Sequence, residues 1–413
     1  MKHVIVGAGP AGVIAAETLR GLDADAEITL IGDEPEPPYS RMAIPYVLTG
    51  KIDEPGTYLR KEEGHFERLG IEIIQGRVEK LQPGSNELTV GGKAFQPGYD
   101  RLLIATGSRP VKPPIPGLDL AGIHHCWTLE DSRRIVELAT AGTKVVLLGA
   151  GFIGCIILEA LVERGVELTV VEMGDRMVPR MMNQVAGNMI RRWCENKGVT
   201  VHTGTRADGV EKAGDGLKVL LSDGQAVDAG LVVVATGVAP NIEFLEGSGI
   251  ETETGVLVNE RLETSAAGVY AAGDVAEGFD FSTGARAVQA IQPTAADHAR
   301  MAALNMAGAD TPFPGSLGMN VLDTLGLVST SFGLWDGVGG GERAERADEE
   351  NFRYVSLEFD EDQLVGTITV GRTEHVGALR GLIQTGARLG SWKQRLMEDP
   401  NRIMEAYVAT VQT

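Results

Sequence analysis

The run KHVIVGAGPAGVIAAETLRGLDADAEITLIGDE, residues 2–34, decides the fold. A short β-branched apolar run leads into a glycine turn, then an apolar helical stretch, then a second apolar run ending in an acid. Strands buried on both faces read as such uninterrupted runs, so the unit predicts two parallel strands joined by a helix. In its loop, Gly7 permits the tight turn, Gly9 lets backbone N–H groups approach a pyrophosphate, and Gly12 lets helix and strand pack closely. Pro10 and Ala11 complete the loop, and the helix start adds partial positive charge where phosphates would sit. Asp33 closes the second strand 21 residues after Gly12, where a carboxylate would grip ribose hydroxyls. A bare glycine pattern says little. Strand, helix and distal acid together predict a dinucleotide site.

The design recurs in TKVVLLGAGFIGCIILEALVERGVELTVVEMGD, residues 143–175, with Gly149, Gly151 and Gly154 in its loop beside Phe152 and Ile153. Glu172 ends that unit 18 residues after Gly154. An acid there accepts a hydrogen bond from a ribose 2′-OH and repels a 2′-phosphate, which favours NADH over NADPH. Arg176 lies close enough in sequence to serve a 2′-phosphate, and the plainer reading of Glu172 is a surface acid ending a strand. Hydride transfer between two such nucleotides requires two sites on two abutting domains.

The remaining composition is that of an ordinary globular chain. Its 413 residues suggest two to four domains. The 54 glycines exceed the usual share of about 7% and fall largely at strand-to-helix junctions, which makes them close-approach sites. A formal net charge of −20 repels phosphate backbones and argues against nucleic acid as a partner. Cys126, Cys155 and Cys194 are single and far apart, which argues against a disulfide framework, a CxxC redox pair or a cysteine-held metal; no metal is expected. No apolar run reaches the roughly 18 residues of a membrane span, and the chain enters a strand at once. A cytoplasmic location is expected.

Further buried runs are RLLIATG (101–107) and LVVVATG (231–237), and GVYAAGD (268–274) ends in an acid. A helix is expected at about 285–307, ended by Gly308. After PFPG at 312–315 the pattern changes to alternating strands (NVLDTLGLVST, FRYVSLEF, QLVGTITVG) around an acidic, glycine-rich loop at 336–350. The final stretches HVGALRGLIQTG and SWKQRLMEDPNRIMEAYVA read as helical. The expected fold class is α/β: two Rossmann-like dinucleotide-binding domains plus a C-terminal α+β domain. The expected limits are 1–112 with 241–312 for the first, 113–240 for the second and 313–413 for the third.

With these motifs in hand, the chain resembles the two-dinucleotide-fold flavoproteins: glutathione-reductase-like enzymes, ferredoxin and rubredoxin reductases, and the flavin part of NADH nitrite reductase. GAGPAG (7–12) and GAGFIG (149–154) match that family's FAD and NAD(P)H loops. ATGSRP (105–110) and ATGVAPN (235–241) match its domain-crossing segments, and VYAAGDVA (269–276) its second FAD motif. The resemblance implies FAD contacts at Gly7, Gly9, Pro10, Ala11, Gly12, Asp33, Glu34, Ala105, Thr106, Gly107, Gly273 and Asp274. Pro38-Tyr39-Ser40-Arg41 looks like a family stretch that would put Arg41 near the FAD phosphates. Ile291-Gln292-Pro293-Thr294 resembles the segment whose helix start faces the flavin, implicating Gln292 and Pro293. The implied NAD contacts are Gly149, Gly151, Phe152, Ile153, Gly154, Glu172, Thr236 and Gly237.

Departures from the family sharpen the expectation. The CxxxxC pair of the disulfide-reducing members is missing, and Met42 stands where peroxide- and CoA-disulfide-reducing members keep a reactive cysteine. A thioether forms no thiolate. Tyr46 and Ile156 occupy the places of a lysine–glutamate pair found in many ferredoxin reductases. Trp335 reads either as a packing residue or as one facing an acceptor. The expected activity is hydride transfer from NADH to FAD, then electron transfer to a small iron redox protein or a metal-containing partner subunit. No side chain is expected to act as a catalytic acid or base, because the flavin carries the chemistry. Competing readings are a direct NADH oxidase or small-molecule reductase, and a non-catalytic flavin subunit. Oligomeric state is left open.

Overall fold

The computed structural model describes residues 1–95 and 98–411. The chain divides into two compact units, one of residues 1–47, 52–109 and 238–316, the other of 48–51, 110–237 and 317–413.

The first unit is built on a five-stranded parallel sheet in the order Val269–Ala271, Arg101–Ile104, Lys2–Val6, Glu27–Gly32, Ile71–Gln75. Four of these strands are the apolar runs read from the sequence and are mostly buried, as a strand covered on both faces must be; the edge strand Ile71–Gln75 was not among those runs and is largely exposed. Register pairs Val6 with Ile31 on one side and Ile104 on the other, so three strand ends meet beside the Gly7–Gly12 loop. Ile5, Leu30, Leu102 and Leu103 are fully buried in the resulting core.

The second unit repeats the plan with Thr200–His202, Glu167–Val171, Lys144–Leu148, Leu231–Val234 and Ile123–His125, again all parallel. A three-stranded antiparallel sheet, Ala207–Ala213, Gly216–Leu221 and Ala226–Ala229, packs into the same core. The same unit holds an antiparallel sheet ordered Met319–Thr324, Leu327–Gly333, Gln363–Val370, Arg353–Asp360, Glu342–Asp348. Asn183 ties the parts together: its Oδ1 caps the helix Gln184–Asn196, and its Nδ2 donates to the Tyr354 hydroxyl at 2.7 Å. Among the described residues no helix is long and apolar enough to cross a membrane.

Four expected elements take a different form. The helix placed at 285–307 begins at Gln292, and Ala285–Val288 is a strand antiparallel to Ala276–Asp280. Pro293 decides this, since it suits a first helical turn and would break a helix interior. The stretch NVLDTLGLVST is a hairpin, with Leu325 at φ +54° and Gly326 at φ +86°. Both turn residues take positive φ, as a two-residue hairpin needs, but leucine there carries no sequence signal. Part of the loop expected at 336–350 is the edge strand Glu342–Asp348, whose charged side chains discourage further pairing. The last helical stretch is two helices, Ser391–Glu398 and Ile403–Val411, because Pro400 holds Asp399 in extended conformation.

Candidate nucleotide sites

In the first unit the Gly7–Gly12 loop is built by contact. Gly7 has φ +119°, and a Cβ there would stand 2.0 Å from the Ala105 carbonyl oxygen. A Cβ on Gly12 would stand 1.8 Å from the Gly7 carbonyl oxygen. Gly9 differs, because nothing lies within 4 Å of where its Cβ would go. It is the N-cap of the helix Pro10–Leu22 and supplies no side-chain cap, so first-turn N–H groups stay available to an outside acceptor. An open face backed by an uncapped helix start and crowded glycines fits a pyrophosphate.

The second FAD motif comes to the same place. Ala11 Cβ and Ala295 Cβ lie 3.3 and 3.4 Å from a Cβ built on Gly273, whose φ is +76°. Asp274 Oδ2 accepts from Ser108 Oγ at 2.9 Å. Burial pushes the Asp274 carboxyl above its usual range, while the Ser108 hydroxyl and the Arg41 charge favour ionisation. Glu34 and Arg41 are brought together: Arg41 Nη2 donates to Glu34 Oε1 at 2.5 Å, and Tyr39 donates its hydroxyl to Glu34 Oε2 at 2.5 Å. Asp33 is half exposed and 3.9 Å from Arg77. Thr106 Oγ1 donates to the Asn241 carbonyl at 3.0 Å, and Asn241 Nδ2 returns a bond to the Thr106 carbonyl at 2.8 Å. Gly107 has φ +65° and open space around it. Gln292 and Pro293 are exposed at their helix start, and Ser40 Oγ donates to Gln292 Oε1 at 2.9 Å. Tyr39, Ser40, Ser108 and Asn241 were not singled out from the sequence, although each stands inside a quoted motif.

Ser108→Ala removes a donor that favours ionised Asp274. The expected outcome is an Asp274 carboxyl pushed further up and a loss of about 1 kcal/mol near neutral pH. Urea unfolding of the two proteins checks it, and superimposable curves would remove the role given to Ser108.

The second unit repeats the loop geometry. A Cβ on Gly149 (φ +100°) would stand 2.4 Å from the Ala235 carbonyl oxygen, and one on Gly154 would stand 2.2 Å from the Gly149 oxygen. Gly151 caps Phe152–Glu163 without a side chain and is open, as is Gly237 at φ +121°. Phe152 and Ile153 are half-buried, and Thr236 Oγ1 donates to the Val111 carbonyl at 3.3 Å. Glu172 is not the surface acid of the plainer reading. It is 9% exposed, its Oε2 accepting from Ala150 N–H at 2.7 Å and its Oε1 from Gly174 N–H at 2.6 Å. Val178 is fully buried with φ +51°, costly for a β-branched residue by about 1–3 kcal/mol, and its N–H bonds the Ala150 carbonyl at 2.8 Å.

Met42 and Tyr46 are exposed, Ile156 and Trp335 half-buried. All three thiols are buried; burial pushes Cys126 and Cys194 up to about 12 and Cys155 well above the usual thiol range. Among the described residues no group of His, Cys, Asp and Glu is arranged to hold a metal ion.

Comparison with known proteins agrees with this geometry. The pyridine nucleotide-disulphide oxidoreductase family matches residues 1–302. The NADH-dependent phenylglyoxylate dehydrogenase subunit epsilon of Aromatoleum evansii is 32% identical over 404 residues, 97% of this chain and 95% of that protein. The biphenyl dioxygenase system ferredoxin–NAD(+) reductase component of Paraburkholderia xenovorans is 34% identical over 66% of each chain. The solved ferredoxin reductase for the CYP199A2 system of Rhodopseudomonas palustris has a TM-score of 0.84 and 27% identity, covering 92% of this chain and 93% of that one. The chain therefore belongs to the pyridine nucleotide-disulphide oxidoreductase family, as a flavoprotein oxidoreductase whose cofactors are FAD and NADH.

Proposed function

We propose that this chain is the flavin component of an electron-transfer pair, exchanging electrons between NADH and a small iron protein or a metal-containing partner subunit. One observation carries the reading. The unit that contains every expected FAD position has no cysteine, and Met42 stands where the thiol-dependent flavoproteins it resembles keep a reactive cysteine. Electrons reaching this site therefore have no thiol relay in that unit. FAD, when bound, supplies the chemistry by accepting a hydride from the nicotinamide and releasing electrons one at a time. The chain's own residues bind and align. The Gly7–Gly12 loop and Asp274 would hold the flavin nucleotide, and the helix start at Gln292 would face its ring with partial positive charge. Gly149–Gly154 and Glu172 would hold NADH. The three buried cysteines take no part in turnover, and the protein works in the cytoplasm.

Two relatives support the partner. One spans nearly the whole chain and is a subunit of a larger dehydrogenase; another is the reductase component of a ferredoxin-linked system. The three-domain division 1–112 with 241–312, 113–240 and 313–413 is part of this proposal, with the last segment choosing the acceptor. Anaerobic NADH should bleach the visible flavin band, and oxidised ferredoxin or rubredoxin should restore it far faster than air. Rapid oxygen consumption with no ferredoxin reduction would instead make the chain an oxidase.

A further inference from the structure

The loop from Glu172 to Met182 holds an arginine whose donors are already committed. Arg176 Nε donates to the Met182 carbonyl at 2.7 Å, Nη2 to the Pro179 carbonyl at 3.2 Å and Nη1 to Asp175 Oδ1 at 2.7 Å. Its stem packs on the next helix: a Cβ on Gly187 would stand 2.9 Å from Arg176 Cβ. The two carbonyls it grips, at Pro179 and Met182, follow directly on the strained residue Val178, whose N–H reaches the Ala150 carbonyl. Ala150 is the second residue of the second glycine loop, and its own N–H donates to Glu172 Oε2. Arginine fork, strained turn, glycine loop and acid are thus linked by hydrogen bonds and the short backbone between them. Arg180, the loop's other cation, is exposed and has no hydrogen bond or ion pair among the described residues.

From this geometry we infer that Arg176 is a positioning residue for NADH, holding Glu172 and the Gly149–Gly154 loop in place, and not a handle for a 2′-phosphate. The inference rests on NADH binding in this unit. A planar fork with three fixed acceptors cannot turn toward a ligand without losing them, and a lysine cannot reproduce it. The Glu172 carboxylate, held by two N–H groups, stands where a 2′-phosphate would arrive and retains lone pairs for a ribose hydroxyl.

The test uses the FAD-loaded full chain with Arg176→Ala, Arg176→Lys and Arg176→Gln. Arg176→Ala should raise the KM for NADH about tenfold, the effect of losing one or two fixed hydrogen bonds, with kcat within about twofold. Arg176→Lys should not rescue it, and the NADPH-to-NADH preference should not fall. Calorimetry with AMP and adenosine 2′,5′-bisphosphate reads the same subsite without turnover: AMP binding weakens in all three variants, and the bisphosphate gains no selective loss. Flavin content reports folding, and Arg176→Gln, which keeps the stem and one donor, covers a poorly folding alanine variant. Unchanged NADH and AMP binding with selective loss of NADPH and bisphosphate would overturn the inference, as would full rescue by lysine. If the unaltered chain binds neither AMP nor NADH, the nucleotide reading itself falls, and this inference with it.

Discussion

Gly9→Ala should give a protein that folds normally and purifies without flavin. The backbone at Gly9 has φ −79°, which alanine adopts freely, and nothing lies within 4 Å of the added methyl. The methyl enters the space where a diphosphate must approach the uncapped helix start. Losing that approach costs about 3 kcal/mol, roughly a hundredfold in FAD affinity. Gly12→Ala should behave differently, because its methyl would meet a backbone oxygen at 1.8 Å in a buried loop. Backbone cannot swing aside as a side chain can, so the first unit loses about 3 kcal/mol or more and the soluble yield falls. The matched pair in the second unit, Gly151→Ala and Gly154→Ala, should leave the yellow colour and remove bleaching by NADH. Visible spectra and thermal melts of the four variants decide it. A yellow, stable Gly9→Ala protein with normal FAD affinity would sink the assignment of that loop.

Stability should fall as the pH drops from about 6.5 to about 4, and His298 is the main titrating cause. Its side chain is 2% exposed, Nε2 lies 3.1 Å from Ser316 Oγ, Nδ1 has no partner, and Phe313 packs edge-on to the ring. Burial lowers its pKa from 6.5 to about 4. A base whose folded pKa is depressed takes up its proton more readily when unfolded. The stabilisation is therefore complete above the unfolded value of 6.5 and disappears as pH falls toward 4, a span worth roughly 3 kcal/mol. His3, 1% exposed, is shifted in the same direction, also mainly by burial, and adds to the slope. Urea unfolding at several pH values, with His298→Gln beside the unaltered protein, separates the contribution. Gln keeps a polar group for Ser316 and cannot titrate. Parallel curves would mean that His298 is not responsible.

Much of the fold was legible because it depends on patterns that act over short range. A strand covered on both faces must be apolar throughout, and a strand-to-helix turn that accepts a phosphate must be glycine, so residues 2–34 and 143–175 declared themselves. What escaped depended on partners far off in sequence. Nothing near Ser108 says that it will meet Asp274, and nothing near Tyr354 says that it will meet Asn183. The hairpin at Leu325-Gly326 was hidden because tertiary packing forces a leucine into a conformation that Asn-Gly would have advertised. Glu172 was read as a residue facing a ribose; its two backbone donors could not be read, since their positions depend on the folded loop. The strain at Val178 belongs to the same class.

The first unit is discontinuous: its edge strand Val269–Ala271 pairs with Arg101–Ile104, yet residues 110–237 belong to the other unit. During synthesis, Arg101–Ile104 must therefore leave the ribosome with one side of its ladder open. At about 5–20 residues per second the missing strand arrives on the order of ten seconds later. Through that interval the nascent chain presents an apolar, unpaired edge suited to chaperone capture or to mispairing with a neighbouring chain, and the intervening nucleotide fold is the first part able to close on itself.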